Sequence, residues 1–235
     1  MILLPVLAAA LMGAAPGATS SATLANHAQP LYTPYADSAA DFMYNLAFCE
    51  PRDDFRTRKG QAPTPTQVAL FSEPPDKPAL AKLAGDASEQ GRYRYLAYAR
   101  LREAGVKVEP KVLLGVVIEV GLDQGLDTLA AYSDGSVRYI NRTGKITVVE
   151  GVDRFQPLVK RLFDASSAVV ARIGPWDQPR RPPPGRGMLR LSFLVSDGLY
   201  FGEGPMKVLE RDPMAGPVFT AGVELLQAVV ATAAK

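Results

Sequence analysis

The sequence is short of the side chains that most often cross-link or catalyse. Its 235 residues include one cysteine, one histidine and one tryptophan. Because the single cysteine, Cys49, has no second cysteine to pair with, an intramolecular disulfide is impossible. The apolar residues, 47% of the chain, must therefore hold the fold together as a core.

The shortage of histidine excludes several classes of enzyme. The one histidine, His27, lies next to an apolar N-terminal leader. Without a histidine inside the folded region, the chain cannot assemble a histidine general base, a histidine-ligated zinc ion or a Cys–His nucleophile pair. We therefore expect no metal site and no cofactor, and we lean against an enzyme.

Charge of either sign is not in excess. Lys and Arg total 26 against 24 Asp and Glu, a net charge of +2, which is too small to indicate a nucleic-acid-binding protein. The densest basic set, Arg92, Arg94, Arg100 and Arg102, has steps of two residues, which point to different faces of a helix. Nucleic acid is therefore not an expected partner.

The N-terminus is a short apolar run, Ile2–Met12, followed by small residues. This pattern predicts a signal peptide over residues 1–25, and hence a secreted or periplasmic protein. The absence of Lys or Arg before Arg52 favours an alternative, in which the start is overextended, the protein begins near Leu31 and it is cytoplasmic. No later run reaches about 18 uninterrupted apolar residues, so no transmembrane segment is expected in the mature protein.

Residues 31–108 are predicted to form a helical N-terminal segment. Apolar spacing indicates helices over 37–48, 77–85 and 88–104, and Gly105 is a natural helix stop. The charged, Pro- and Gly-containing residues 52–65 are predicted to be an exposed loop.

The sequence pattern changes near residue 109, and residues 109–235 are predicted to form a sheet domain. We expect this domain to form one folded unit with residues 31–108. A meander of about four strands runs from 112 to 149 around Asp134-Gly135, and a hairpin of strands 188–195 and 199–209 turns at Asp197-Gly198. Helices are predicted over 153–173 and 213–234. The fold class is therefore α+β, an antiparallel sheet of about six strands with covering helices.

Three phrases of the sequence resemble those of a family of uncharacterised bacterial proteins. They are Leu126–Tyr132, Arg138–Asn141 and Ser196–Pro205. The resemblance covers roughly Leu31 to the C-terminus and implies no activity, cofactor or site residue.

A proline-rich stretch between the sheet halves is the candidate binding segment. Trp176, Arg180 and Arg181 lie beside Pro182-Pro183-Pro184, and Trp and Arg are the residues that most often dominate protein interfaces. A polyproline segment is stiff and loses little entropy on docking. The leading hypothesis is thus a non-catalytic interaction or regulatory module with a protein partner; the competing interpretation is a rigid crossover whose tryptophan caps the core.

Two alternative functions use other residues. A hydrolase or transferase without histidine would rely on carboxylates, with Glu119, Asp197 and Glu203 as its candidate catalytic residues. A small-molecule sensor would instead need an aromatic-lined cavity. The residues proposed for that lining are Tyr132, Tyr139, Tyr200 and Phe201, of which Tyr200 and Phe201 are also candidate binding residues.

Overall fold

The computed structural model describes residues 31–233. The predicted signal peptide over residues 1–25 and His27 lie outside these residues. The leader and the cellular compartment that it implies therefore stay predictions.

Within the described residues the chain forms an α+β fold of seven α-helices and six strands, which confirms the predicted class. The helices are α1 (Ser38–Ala47), α2 (Pro65–Phe71), α3 (Lys77–Gly85), α4 (Gly91–Glu103), α5 (Gln156–Val170), α6 (Met206–Leu209) and α7 (Ala215–Ala233). The strands are β1 (Leu113–Leu122), β2 (Gly125–Tyr132), β3 (Val137–Ile140), β4 (Ile146–Val149), β5 (Met188–Val195) and β6 (Gly198–Pro205).

The six strands form one open antiparallel sheet in the order β4-β3-β2-β1-β5-β6. The β1–β4 meander and the β5–β6 hairpin meet where β5 pairs with β1. Gly135 has a φ of 82°, a conformation that a residue with a Cβ rarely adopts, and it allows the tight turn between β2 and β3. The central strand β1 is buried over most of its length, as its largely apolar sequence predicts.

Helices cover both faces of the sheet. On the first, here called the N-terminal face, residues of α1 to α4 form a core with alternate residues of β1 and β2, including Val117, Ala130 and Tyr132. On the second, the C-terminal face, α5 and α7 pack on the other set, including Val116 and Ile118. The alternation follows from the two-residue period of a strand.

The two helices of the C-terminal face bury apolar residues at helical spacing. In α5 these are Val159, Leu162, Val169 and Val170. Of the described helices, only α7 has the length and apolar composition of a membrane span, over Ala215–Thr232. One side of α7, which includes Leu225, is buried in the core of the C-terminal face.

Two local predictions were wrong. Residues 52–65 are not wholly an exposed loop, because Arg52–Phe55 forms a 3-10 turn that buries Phe55. They lead into α2, whose start is fixed by a capping box between Thr64 and Gln67. The strand predicted over 199–209 ends at Pro205, because Met206–Leu209 turns into the short helix α6.

The proline-rich connection (residues 174–187) joins α5 to β5 and passes over the end of β1. At that point Gly121 allows close contact between the two backbones: a Cβ on Gly121 would lie 2.0 Å from the carbonyl oxygen of Gly185. The main-chain N–H of Gly187 donates to the carbonyl of Gly121 at 2.8 Å. A side chain at position 121 would therefore push the connection off the sheet.

We expect Gly121→Ala to lower the free energy of unfolding by about 1–3 kcal/mol, because the added methyl group meets backbone atoms that cannot rotate away. Gly185→Ala is the matched control, since a Cβ on Gly185 meets no atom within 4 Å, and it should change stability little. Urea denaturation of both variants checks this. Equal stabilities would show that the close approach does not constrain the fold.

Candidate functional site

A row of polar side chains crosses the N-terminal face of the sheet. The pairing register sets Thr128 of β2 opposite Glu119 of β1, Glu119 opposite Arg190 of β5, and Arg190 opposite Glu203 of β6. Residues directly opposite in antiparallel strands share a face and lie close together. Glu119 is 0% exposed, and Thr128 and Arg190 are also buried. The row is therefore part of the interior.

Residues at the N-terminal end of the described chain cover part of this row. The hydroxyl of Tyr44, on α1, donates a hydrogen bond to Glu119 Oε1 at 2.7 Å. Tyr35 shares a hydrogen bond of 2.9 Å with the hydroxyl of Thr128. These contacts satisfy buried oxygen atoms that water cannot reach.

Arg190 links the sheet to the proline-rich connection. Its guanidinium bonds to Glu203 Oε2 through Nε at 2.8 Å and Nη2 at 2.6 Å. The same group donates to the main-chain carbonyls of Arg181 at 3.2 Å and Pro182 at 2.5 Å. Its Nη1 lies 3.7 Å from Glu119 Oε2. One buried cation thus holds two carboxylates and the backbone of the connection.

Arg180 anchors the connection to α1 and to the residues that follow it. Its side chain is 2% exposed. Nε and Nη2 lie 3.0 and 2.9 Å from Glu50 Oε2, and Nη2 also donates to Asn45 Oδ1 at 2.9 Å. Nη1 donates to the hydroxyl of Tyr44 at 3.1 Å. The guanidinium carbon lies 4.1 Å from the centre of the Phe48 ring.

Burial sets the protonation behaviour of the carboxylates in this network. Burial away from water raises the pKa of Glu119 above that of an ordinary glutamate, although the positive charge of Arg190 acts to lower it. Burial likewise raises the pKa of Glu50, although the positive charge of Arg180 acts to lower it. Glu119 Oε2 is buried and has no hydrogen-bond partner among residues 31–233. Because Glu119 is closed to solvent, a substrate cannot reach it in this conformation.

The outer side of the connection carries the aromatic and charged residues that remain at the surface. Trp176 is 38% exposed, and its ring meets the Phe201 ring edge to face, with centroids 5.1 Å apart. The Nε1 of Trp176 donates to the carbonyl of Pro179 at 3.0 Å, and the main-chain N–H of Trp176 donates to the carbonyl of Leu199 at 2.7 Å. The side chain of Arg181 is 52% exposed.

The candidate binding residues therefore divide into two groups. Trp176, Phe201 and Arg181 lie at or near the surface. Arg180 points into the protein and is not accessible to a partner. Tyr200 is fully buried in the core of the C-terminal face.

The three candidate catalytic carboxylates do not converge. Glu119 and Glu203 both contact Arg190, which lies between them. Asp197 lies in the β5–β6 turn, where it accepts hydrogen bonds from the Tyr200 hydroxyl at 2.9 Å and the Lys111 N–H at 3.2 Å. These contacts describe a turn and a buried ion network.

The four aromatic residues considered for a sensor cavity do not line one space. Tyr132 is packed in the core of the N-terminal face. Tyr139 and Tyr200 belong to the opposite core, and Phe201 packs against Trp176. Among residues 31–233, no group of three or more His, Cys, Asp or Glu residues is arranged to hold a metal ion.

Sequence reasoning missed most of the network. The residues that it did not single out are Tyr35, Tyr44, Asn45, Glu50, Thr128 and Arg190. A signal existed for Arg190, because it is the one charged residue in a largely apolar strand, as Glu119 is in β1. Two opposite charges in two central strands indicate a buried pair. The residues of α1 and Glu50, which follows it, carry no comparable signal.

No family model matches the chain, and no curated protein matches it significantly. The resemblance of Leu126–Tyr132, Arg138–Asn141 and Ser196–Pro205 to a bacterial family therefore stays a prediction.

We expect Arg180→Met to lower the free energy of unfolding by about 3–5 kcal/mol, because it leaves the Glu50 carboxylate in the interior without its cation. Arg181→Met is the matched control. It removes an exposed guanidinium 3.7 Å from Glu203, and should cost less than about 1 kcal/mol. Chemical denaturation of both variants checks the contrast, and similar losses for the two would contradict the anchoring role of Arg180.

Proposed function

We propose that the protein is a non-catalytic interaction module that binds another protein through Trp176 and Arg181. The observation that carries this proposal is a partly exposed indole on a connection that is fixed to the rest of the molecule by buried arginines. Trp and Arg dominate the binding energy of many protein interfaces, which makes this pair the strongest candidate on the described surface.

Fixing the loop in advance favours binding. Binding normally loses free energy when a mobile loop or side chain is ordered. The Trp176 ring is already oriented by Phe201 and by the hydrogen bond to Pro179. The backbone below it is held by Arg180 and Arg190. Little further ordering is then needed when a partner docks.

The chemistry of the two side chains describes the surface that they fit. The indole needs an apolar recess in the partner, and Arg181 needs a carboxylate beside that recess. Glu203 does not compete strongly for Arg181, because it lies 3.7 Å away and is already bonded by Arg190 at 2.6 Å. The expected partner surface is thus an aromatic-sized pocket with an acidic rim.

The enzyme and sensor alternatives have less support. An enzyme needs a carboxylate that a substrate can reach, and Glu119 is closed to solvent. A sensor with an aromatic cavity needs its aromatic side chains on one side of the sheet, and Tyr132 and Tyr200 belong to opposite cores.

The test is affinity purification of the tagged protein from cells that express it natively, compared across variants. We expect a stoichiometric protein partner with the unmodified chain, and loss of about 2 kcal/mol or more of binding free energy in Trp176→Ala and in Arg181→Ala. Isothermal titration with the purified partner measures that loss.

Val148→Ala is the control for removal of an exposed apolar side chain. Val148 is 48% exposed and lies on β4, at the other edge of the sheet. The Val148→Ala protein should bind the partner as the unmodified chain does. Retention of the partner by both the Trp176 and the Arg181 variants, or the absence of any stoichiometric partner, would overturn the proposal.

A further inference from the structure

An open cleft of about 510 Å³ lies at the end of the sheet away from the Asp197-Gly198 turn. It is bounded by the β1–β2 turn, the β3–β4 turn, the end of the proline-rich connection and the start of α6. Its lining residues are Gly121, Leu122, Asp123, Gln124, Arg142, Arg186, Gly187 and Met206. Its volume falls within the range of about 300–1,000 Å³ that is usual for small-molecule sites.

The lining combines apolar surface with cations. Leu122 and Met206 are half-buried and provide the apolar part. Arg142 and Arg186 are exposed, and both residues belong to the lining. Asp123 is the single acidic residue in the lining, so the cleft has an excess positive charge.

The two arginines differ in how their charges are satisfied. Arg186 pairs with Asp123, at 2.5 Å from Nε to Oδ1 and 3.1 Å from Nη2 to Oδ2. The backbone of Arg142 is held by a 2.7 Å hydrogen bond from its N–H to Asp127 Oδ1. Within residues 31–233, the Arg142 guanidinium has neither a hydrogen bond nor an ion pair. Arg142 is therefore the arginine of the cleft whose guanidinium has no direct contact with a carboxylate of the described residues.

We infer that this cleft binds a small organic anion whose carboxylate or phosphate contacts Arg142 and whose apolar body lies on Leu122 and Met206. The planar fork of an arginine matches both kinds of oxyanion. Such a ligand would pair with the Arg142 guanidinium and at the same time cover the half-buried apolar surface.

This inference does not depend on the proposed protein partner. Trp176 bonds to Leu199, near the start of β6, whereas the cleft lies beyond the end of that strand. Neither Trp176 nor Arg181 is among the lining residues of the cleft. A failure at one site therefore leaves the other unaffected.

The experiment is a titration of the isotopically labelled full chain with octanoate and octyl phosphate, followed by amide chemical shifts in NMR spectra. We expect saturable shifts at Asp123, Gln124 and Gly187 with at least one of the two anions. The anion that binds more tightly shows whether the cleft prefers a carboxylate or a phosphate. Octanol, which has the same chain without the charge, should bind about tenfold more weakly or not at all.

Arg142→Gln should weaken binding of the anion about tenfold or more, while keeping the dispersed spectrum of a folded protein. Arg172→Gln is the matched control, because Arg172 is exposed, follows α5 and is outside the cleft. Absence of saturable shifts with both anions, equal binding of octanol, or equal losses in the two variants would each overturn the inference.

Discussion

The guanidinium of Arg180 is out of contact with water, between the proline-rich connection and the helical layer of the N-terminal face. A buried cation is tolerated only when anions and hydrogen-bond acceptors replace its hydration, and here Glu50, Asn45 and Tyr44 do so. Because Tyr44 also donates to Glu119, the position of Arg180 is coupled to the centre of the sheet. The course of the connection, and with it the orientation of Trp176, depends on this contact.

The row of polar side chains across the sheet selects the strand register more than it adds to the free energy of unfolding. Taking Glu119 and Arg190 out of water is costly, and their attraction repays that cost only in a favourable geometry. A shift of β5 by one residue would turn Arg190 to the C-terminal face, among the apolar residues of α5 and α7. The row therefore favours one register of β5 between β1 and β6, which is the register that brings Arg190 under the connection.

Much of the fold was predictable because its signals are local. The turns at Asp134-Gly135 and Asp197-Gly198, the buried run of β1 and the apolar spacing of α5 each lie within a few residues of sequence. Helix α2 was missed because the proline and charged residues before it obscured the capping signal of Thr64 and Gln67.

The candidate site was only partly predictable, because its contacts are distant in the sequence. Arg180 and Glu50 are 130 positions apart, and Arg180 and Tyr44 are 136 apart. A proline-rich segment with two adjacent arginines indicates a surface loop. No local pattern shows that Arg180 points inward while Arg181 stays exposed. Glu119 could be singled out from its apolar strand, but its partners could not.

The most direct test of this account is the time-resolved fluorescence anisotropy of Trp176, the single tryptophan of the chain. In the unmodified protein the indole should rotate with the whole molecule, without a faster component on the nanosecond scale of loop motion. Arg180→Met should introduce that faster component, and Arg181→Met should not. A fast component already present in the unmodified protein, or one decay shared by all three proteins, would contradict the claim that Arg180 fixes the loop.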